Sequence, residues 1–226
     1  MSALKRMFFA TILTAGIAGS AQAIAPDFME KLESESRPLE DRMRDGARRP
    51  YQVMMLLGVE EGMTVVDVGA GGGWYTRVLS AAVGPSGKVF AQGMRGGTVD
   101  GLGNVEVVAG LGDMSENVAD VAVTALNIHH MNADRAGPYM RDLLRILKPG
   151  GVAAIIDHVG DPANNNAQLH RLPIADARGW IEAAGFEIVE ESNILRQNAD
   201  DGTLSASDGR LGRNPDRFLF VVRKPR

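Results

Sequence analysis

Apolar residues along the chain follow two alternating patterns. Short runs rich in β-branched residues, at 63–68, 88–91, 104–108, 119–126 and 152–157, predict strands, and those at 63–68 and 152–157 have the continuous apolar character of strands buried on both faces. Between them lie stretches that are apolar on one side only. Residues 74–82 form one, closed by Gly84-Pro85. Residues 138–148 form another, with Met140, Leu143, Leu144 and Leu147 on one side and Arg141, Asp142, Arg145 and Lys148 on the other, ended by Pro149-Gly150-Gly151. Asp176 can cap a helix running to Ala184, stopped by Gly185 and followed by strands at 186–189 and 217–223. A short helix begins earlier at Pro50, with Tyr51, Met54, Met55 and Leu57 as its apolar side and Gly58 as its stop. Strands alternating with helices predict a parallel α/β sheet, whose ligands bind at the carboxyl ends of the strands. No internal repeat or linker divides this region.

Two N-terminal segments stand outside the alternation. Lys5 and Arg6 precede an apolar run at 7–19 and then Ser20-Ala21-Gln22-Ala23, the layout of a secretory signal with an A-x-A cleavage site. The run is too short to span a bilayer. Cleavage after residue 23 leaves 203 of the 226 residues and no membrane span, and in a Gram-negative cell the product is periplasmic. Residues 24–49 interleave Arg37, Arg42, Arg44, Arg48 and Arg49 with Glu40, Asp41 and Asp45, which reads as a solvated helical arm rather than a nucleic-acid patch. The α/β domain proper is expected at residues 50–226.

Composition narrows the chemistry. At 45% hydrophobic and 23% charged the chain can build an ordinary core. Its formal charge of −4, which becomes −6 once Lys5 and Arg6 leave with the signal, argues against binding nucleic acid by charge. The absence of cysteine excludes disulfides, Cys-ligated zinc and thiol nucleophiles.

The strongest motif is Asp67-Val68-Gly69-Ala70-Gly71-Gly72-Gly73, where a buried-type strand runs into a glycine turn and then a helix near Trp74. Gly69 and Gly71 let the backbone turn sharply and approach a ligand, and the helix start offers N–H groups and a positive dipole end. The spacing is neither that of a dinucleotide fingerprint nor that of a P-loop. This stretch resembles the first motif of class I S-adenosylmethionine (SAM) dependent methyltransferases. Ala119-Asp-Val-Ala-Val123, Ile128-His-His130, Leu143-Leu-Arg-Ile-Leu-Lys-Pro-Gly-Gly151 and Trp180-Ile-Glu-Ala-Ala-Gly-Phe186 follow in the family's order. The entry and tail look more like a subgroup of bacterial members that carry secretion signals. The resemblance implies a Rossmann-like, seven-stranded, mostly parallel, doubly wound sheet with an antiparallel last strand. It also implies SAM over the loop formed by Gly69, Ala70, Gly71 and Gly73, with Asp67 fixing loop and ligand, Asp113 near the adenine and Asn127 facing the methyl group.

Two positions depart from that family. An acidic residue usually ends the second strand and accepts the ribose hydroxyls; here Gln92 stands there, so Gln92→Glu is expected to strengthen cofactor binding. The crossover at 93–103 is short and carries five glycines, too many for the usual flanking helix.

Methyl transfer from a sulfonium needs an aligned acceptor, here an unidentified small molecule, and for an oxygen or nitrogen acceptor a base. His129, His130 and His158 lie at strand ends, and His129 or His158 suits that role; the plainer reading packs them beside the pocket. A rival reading makes these histidines and Asp157 a metal site on a non-catalytic periplasmic binding protein of the same fold. Neighbouring strand residues point to opposite faces, which separates His129 from His130 unless the chain leaves the strand there, so no metal is assigned.

Overall fold

The computed structural model describes residues 23–96 and 99–226; the expected signal, apart from Ala23, lies outside them. Among these residues, seven strands form the sheet. They are β1 Thr64–Gly71, β2 Lys88–Met94, β3 Val105–Val108, β4 Ala119–Ala125, β5 Leu147–Gly160 and, beyond a two-residue β6 (Leu172–Pro173) paired with the end of β5, β7 Glu187–Ser192 and β8 Arg217–Arg223. Their order is β3-β2-β1-β4-β5-β8-β7. Pairing from β3 through to β5 is parallel, and the last strand, β8, runs antiparallel to both β5 and β7. The mostly parallel, doubly wound sheet expected from the sequence is the one observed.

The apolar runs of β1, β4 and β5 lack alternation because these central strands face two cores, whereas the edge strands β3 and β7 are largely exposed. Val65, Val121, Val123, Ala154, Ile156 and Leu219 pack on one side with Val53, Met54, Val78 and Leu79 from helices α3 (Pro50–Leu56) and α4 (Trp74–Val83). Their chain neighbours Val66, Ala122, Ala153, Ile155, Phe218 and Phe220 face the other side, against Met140, Leu143 and Ile146 of α5 (Ala133–Ile146) and Ala177 and Ile181 of α7 (Ile174–Ala183). A single-turn helix α6 (Asn166–Leu169) lies between β5 and β6.

Local boundaries differ from expectation where a cap or a stripe lies one turn away. Helix α5 begins five residues before Pro138, because Asn132 caps it by accepting a hydrogen bond from the Arg135 N–H at 3.2 Å. It stops at Ile146 rather than Lys148, since Pro149 disfavours helical backbone in the residue before it, and Leu147 onward joins β5. In α3 the buried stripe is Pro50, Val53, Met54 and Leu57, the i, i+3, i+4, i+7 set; Tyr51 and Met55 are exposed.

Residues 24–49 fold as α1 (Phe28–Glu33) and α2 (Leu39–Arg48). Some of their charges are turned inward, while Glu40 and Arg49 stay exposed. Arg77 donates from Nε to Asp41 Oδ2 at 2.5 Å, with both side chains largely buried. Trp74 Nε1 donates to the Asp41 carbonyl at 3.0 Å and to Asp45 Oδ1 at 3.1 Å, and Arg37 donates to Asp45 at 2.7 Å and to the Leu32 carbonyl at 2.6 Å. The polar segment thereby clamps the first turns of α4, next to the glycine loop. No helix among the described residues is long and apolar enough to cross a membrane.

Removing one partner of a buried pair strands the other charge, at about 3–5 kcal/mol. Asp41→Ala is therefore expected to lower the unfolding free energy by about 3 kcal/mol in urea titrations. A loss of less than about 0.5 kcal/mol would place the pair among ordinary surface contacts.

Candidate active site

Strand order reverses between β1 and β4, so the crevice at their carboxyl ends is the place where this class of sheet holds ligands. At the end of β1, Gly69, Gly71 and Gly73 take the left-handed backbone, with φ of 72°, 53° and 79°. A Cβ on Gly69 would lie 2.4 Å from Asn127 Nδ2. Only glycine leaves room for that amide, which donates to the Val68 carbonyl at 2.9 Å and ties β4 to β1. Ala70 closes the turn by accepting from the Gly73 N–H at 2.8 Å. Beyond it the loop is open: a Cβ on Gly72 would meet nothing within 4 Å, and one on Gly71 only the Gly69 carbonyl at 3.9 Å. Asp67 is buried below the loop and accepts from Thr76 Oγ1 at 2.6 Å, fastening β1 to the first turn of α4. Burial pushes its pKa up to about 6, against the Thr76 hydrogen bonds that lower it.

Gln92 is already committed. Its Oε1 accepts from the Gly69 N–H and its Nε2 donates to the Ala109 carbonyl, both at 3.0 Å. The amide bridges the glycine loop to the end of β3, a task for which a donor and an acceptor are both needed. Among the described residues no helix lies between β2 and β3. Asp113, in a 3₁₀ turn at Leu111–Asp113, is exposed and accepts from the Gly110 N–H at 3.1 Å.

The histidines converge because the chain leaves the sheet just before them. β4 ends at Ala125, Leu126 adopts φ 60°, and Ile128–His130 forms a 3₁₀ turn. The rings of His129 and His130 are consequently 4.0 Å apart, and the opposite-face argument drawn from a strand does not apply. Asp157, fully buried near the end of β5, accepts from the His129 N–H at 2.9 Å and the His158 N–H at 2.8 Å, and its Oδ1 is 2.7 Å from His129 Nδ1. With both carboxylate oxygens acting as acceptors, His129 Nδ1 is the donor, and the tautomer this selects carries its lone pair on Nε2.

His158 is differently placed. Its Nδ1 is 3.1 Å from the His170 carbonyl, and burial pushes its pKa down to about 4, so it is a weak proton acceptor. The pKa of His130 is also lowered, by burial and then by His129 and His170. His170 sits in left-handed backbone at φ 53°, next to the buried Arg171. That guanidinium grips both Asp200 oxygens at 2.9 Å and donates to the Leu204 and Val159 carbonyls. A cavity of about 750 Å³ opens beside His129, lined by Asn132, Asn164, Asn165, Arg171 and Trp180 among others.

The structure thus brings Gly69, Asn127 and Gln92 together at the loop, with Asp67 bonded beneath it to Thr76, and sets His129 and His158 around Asp157. The positioning role of Asp157 and the anchoring role of Arg171 were not assigned from sequence. A lone acid closing the apolar run at 152–157 was the signal available for Asp157.

No family model matches the sequence. The chain is 34% identical over 73 residues to a protein-L-isoaspartate O-methyltransferase of Methanothrix thermoacetophila, a match that covers 31% of this chain and about a third, 35%, of that relative's length. Over 189 residues it is 26% identical to a ubiquinone/menaquinone biosynthesis C-methyltransferase of Pseudomonas paraeruginosa, covering 74% of this chain and 72% of the relative. A SAM-dependent methyltransferase from Aquifex aeolicus has a similar structure, with a TM-score of 0.59 at 24% identity over 88% of this chain and 98% of that one. The fold is that of the class I methyltransferases. Likeness in sequence to a methyltransferase extends over most of the chain.

The His158 environment makes stability depend on pH. The unfolded chain protonates this ring near pH 6.5 and the folded protein only near 4, so its contribution is complete above 6.5 and is lost as the pH falls through that interval. The loss amounts to roughly 3 kcal/mol. Asp67 acts in the opposite sense, its contribution being present below 3.8 and lost as the pH rises through about 6. His158→Gln keeps the Asp67 part, so urea titrations near neutral pH and at about pH 4.5 should show a smaller acid loss in the variant. Equal losses in the two proteins would refute the assignment.

Proposed function

We propose that this chain is an exported SAM-dependent methyltransferase acting on an oxygen or nitrogen atom of a small-molecule acceptor. The fold and the methyltransferase relatives support the enzyme class and the cofactor. The observation that carries the reading is the open glycine loop at the strand-order reversal, with the His129–Asp157 pair on the facing strand ends. Export, and kinship with members bearing secretion signals, rest on the signal-like pattern at residues 1–23.

The residues present fit the cofactor at the loop. Gly71 and Gly72 leave their outer side clear, and α4 begins directly behind them with its positive dipole end. Asp67, through Thr76, holds the loop in place. Gln92 contributes an amide where the family has a carboxylate, and Asp113 and Asn127 complete the edge. When bound, SAM supplies a methyl group already activated on a sulfonium.

The chain's own residues then orient the acceptor and take its proton. The cavity beside His129 is walled by amide side chains and Trp180, which can hold a polar, partly apolar molecule. Nε2 of His129 accepts the proton. Asp157 holds the ring through Nδ1 and stabilises the imidazolium that forms. His158 supports the Asp157 carboxylate through its backbone N–H and stays neutral.

Calorimetric titration with S-adenosylhomocysteine tests this reading, with one molecule bound per chain expected. Gln92→Glu retains an acceptor for Gly69 but sets a carboxylate against the Ala109 carbonyl, and affinity is expected to fall by about tenfold, in contrast to the expectation from sequence. No binding at millimolar ligand would overturn the enzyme reading, and tighter binding by the variant would show that a ribose contact outweighs the bridge.

A further inference from the structure

The histidine cluster has the composition and spacing of a metal site. His129, His130 and His170 each offer a ring nitrogen, and the three nitrogens lie within 4.8 Å of one another. The 3₁₀ turn at Ile128–His130 aims the first two rings together, and the left-handed backbone at His170 brings in the third, with its ring centroid 5.7 Å from that of His129 and 5.4 Å from that of His130. Among the described residues, neither the His130 nor the His170 ring has a hydrogen-bond partner. His129 is oriented through Nδ1 by the buried Asp157, which is the arrangement that fixes the tautomer and raises the basicity of a metal-ligating imidazole.

We propose that His129, His130 and His170 bind a divalent transition-metal ion of the zinc class, with a fourth position open to water or to an oxygen or nitrogen atom of a small molecule. Three neutral imidazoles suit zinc, copper or nickel rather than magnesium or calcium. Zinc–nitrogen bonds of about 2.0–2.1 Å place tetrahedral ligands roughly 3.3 Å apart, so the rings must close by up to about 1.5 Å. His130 and His170 are exposed and can swing by that amount.

A second trio, His129, Asp157 and His158, is equally compact but already spent. Both Asp157 oxygens accept N–H groups and His158 Nδ1 is bonded to the His170 carbonyl, so ligation there would break contacts that hold the two loops together. Arg95 is the cation facing His130, and the Asp157 carboxylate behind His129 offsets its charge. Metal binding does not depend on methyl transfer. The two compete for one atom, since Nε2 of His129 cannot ligate a metal and accept a proton at once.

The test uses the full chain without a histidine tag, stripped with chelator and dialysed. It is titrated with Co²⁺ by visible absorption and with Zn²⁺ by calorimetry. One ion per chain is expected, with tetrahedral-type cobalt bands and a zinc affinity in the micromolar range or tighter. His130→Ala and His170→Ala are each expected to weaken zinc at least tenfold with unchanged circular dichroism, and Asp157→Asn by about 10–100-fold, while His158→Ala, which removes a contact to the His170 carbonyl but no ligand, weakens it less than any of these. Binding that does not saturate by about millimolar zinc, or that survives both His130→Ala and His170→Ala, would overturn the site. So would loss confined to His158→Ala, which would move the ion to the second trio. Titration of the metal-free chain with S-adenosylhomocysteine reports on the methyltransferase reading separately, so failure of either is distinguishable.

Discussion

A side chain at Gly69 has nowhere to go, because the Asn127 amide occupies the space its Cβ would take, 2.4 Å away. That close approach joins the carboxyl ends of β1 and β4 at the point where strand order reverses, and sets the near edge of the crevice. The neighbouring contacts serve the same edge. Gln92 holds the Gly69 N–H from the β2 side, Asp67 and Thr76 hold the first turn of α4 from below, and Asp41 and Asp45 pin Trp74 and Arg77 from outside. The charged N-terminal segment is in this sense part of the loop's support, although it lies far from it in sequence.

Asp157 organises the far edge. A buried carboxylate without partners would cost several kcal/mol, and here it is satisfied by the N–H of His129 in the turn after β4 and by that of its own neighbour His158 in β5. Its bonds to His129 draw the turn after β4 against the end of β5, where His158 lies, which is how these two histidines meet. The Arg171–Asp200 pair performs a similar service one layer out, fixing the segment that carries His170 to the loop before β8. The two uses proposed for this small region, proton acceptance at His129 and metal ligation by the ring trio, draw on the same His129 nitrogen.

Much of the fold could be read directly, since Val65 and Val66, or Ala122 and Val123, face opposite cores and so produce apolar runs without alternation. Element ends were harder. The start of α5 is set by Asn132, whose capping bond carries no hydrophobic signature, and the buried stripe of α3 runs through Val53 rather than Tyr51. The glycine loop was legible because left-handed backbone selects for glycine. The histidine cluster was not, because its geometry depends on a 3₁₀ turn that follows a strand by three residues, and on Asp157 reaching across from the next strand. The charges of α2 looked solvated in one dimension; their partners at Trp74 and Arg77 are about thirty residues away.

The most direct test of the crevice as a cofactor site is an amide NMR titration of the isotope-labelled chain with S-adenosylhomocysteine. The largest shifts should fall on Gly69, Gly71, Gly72 and Gly73, with smaller ones at Gln92 and Asn127. The separate cavity bordered by Ser34, Arg37 and Asn104 should remain silent. Shifts absent from the glycine loop, or concentrated around that second cavity, would contradict the placement of the cofactor and with it the proposed function.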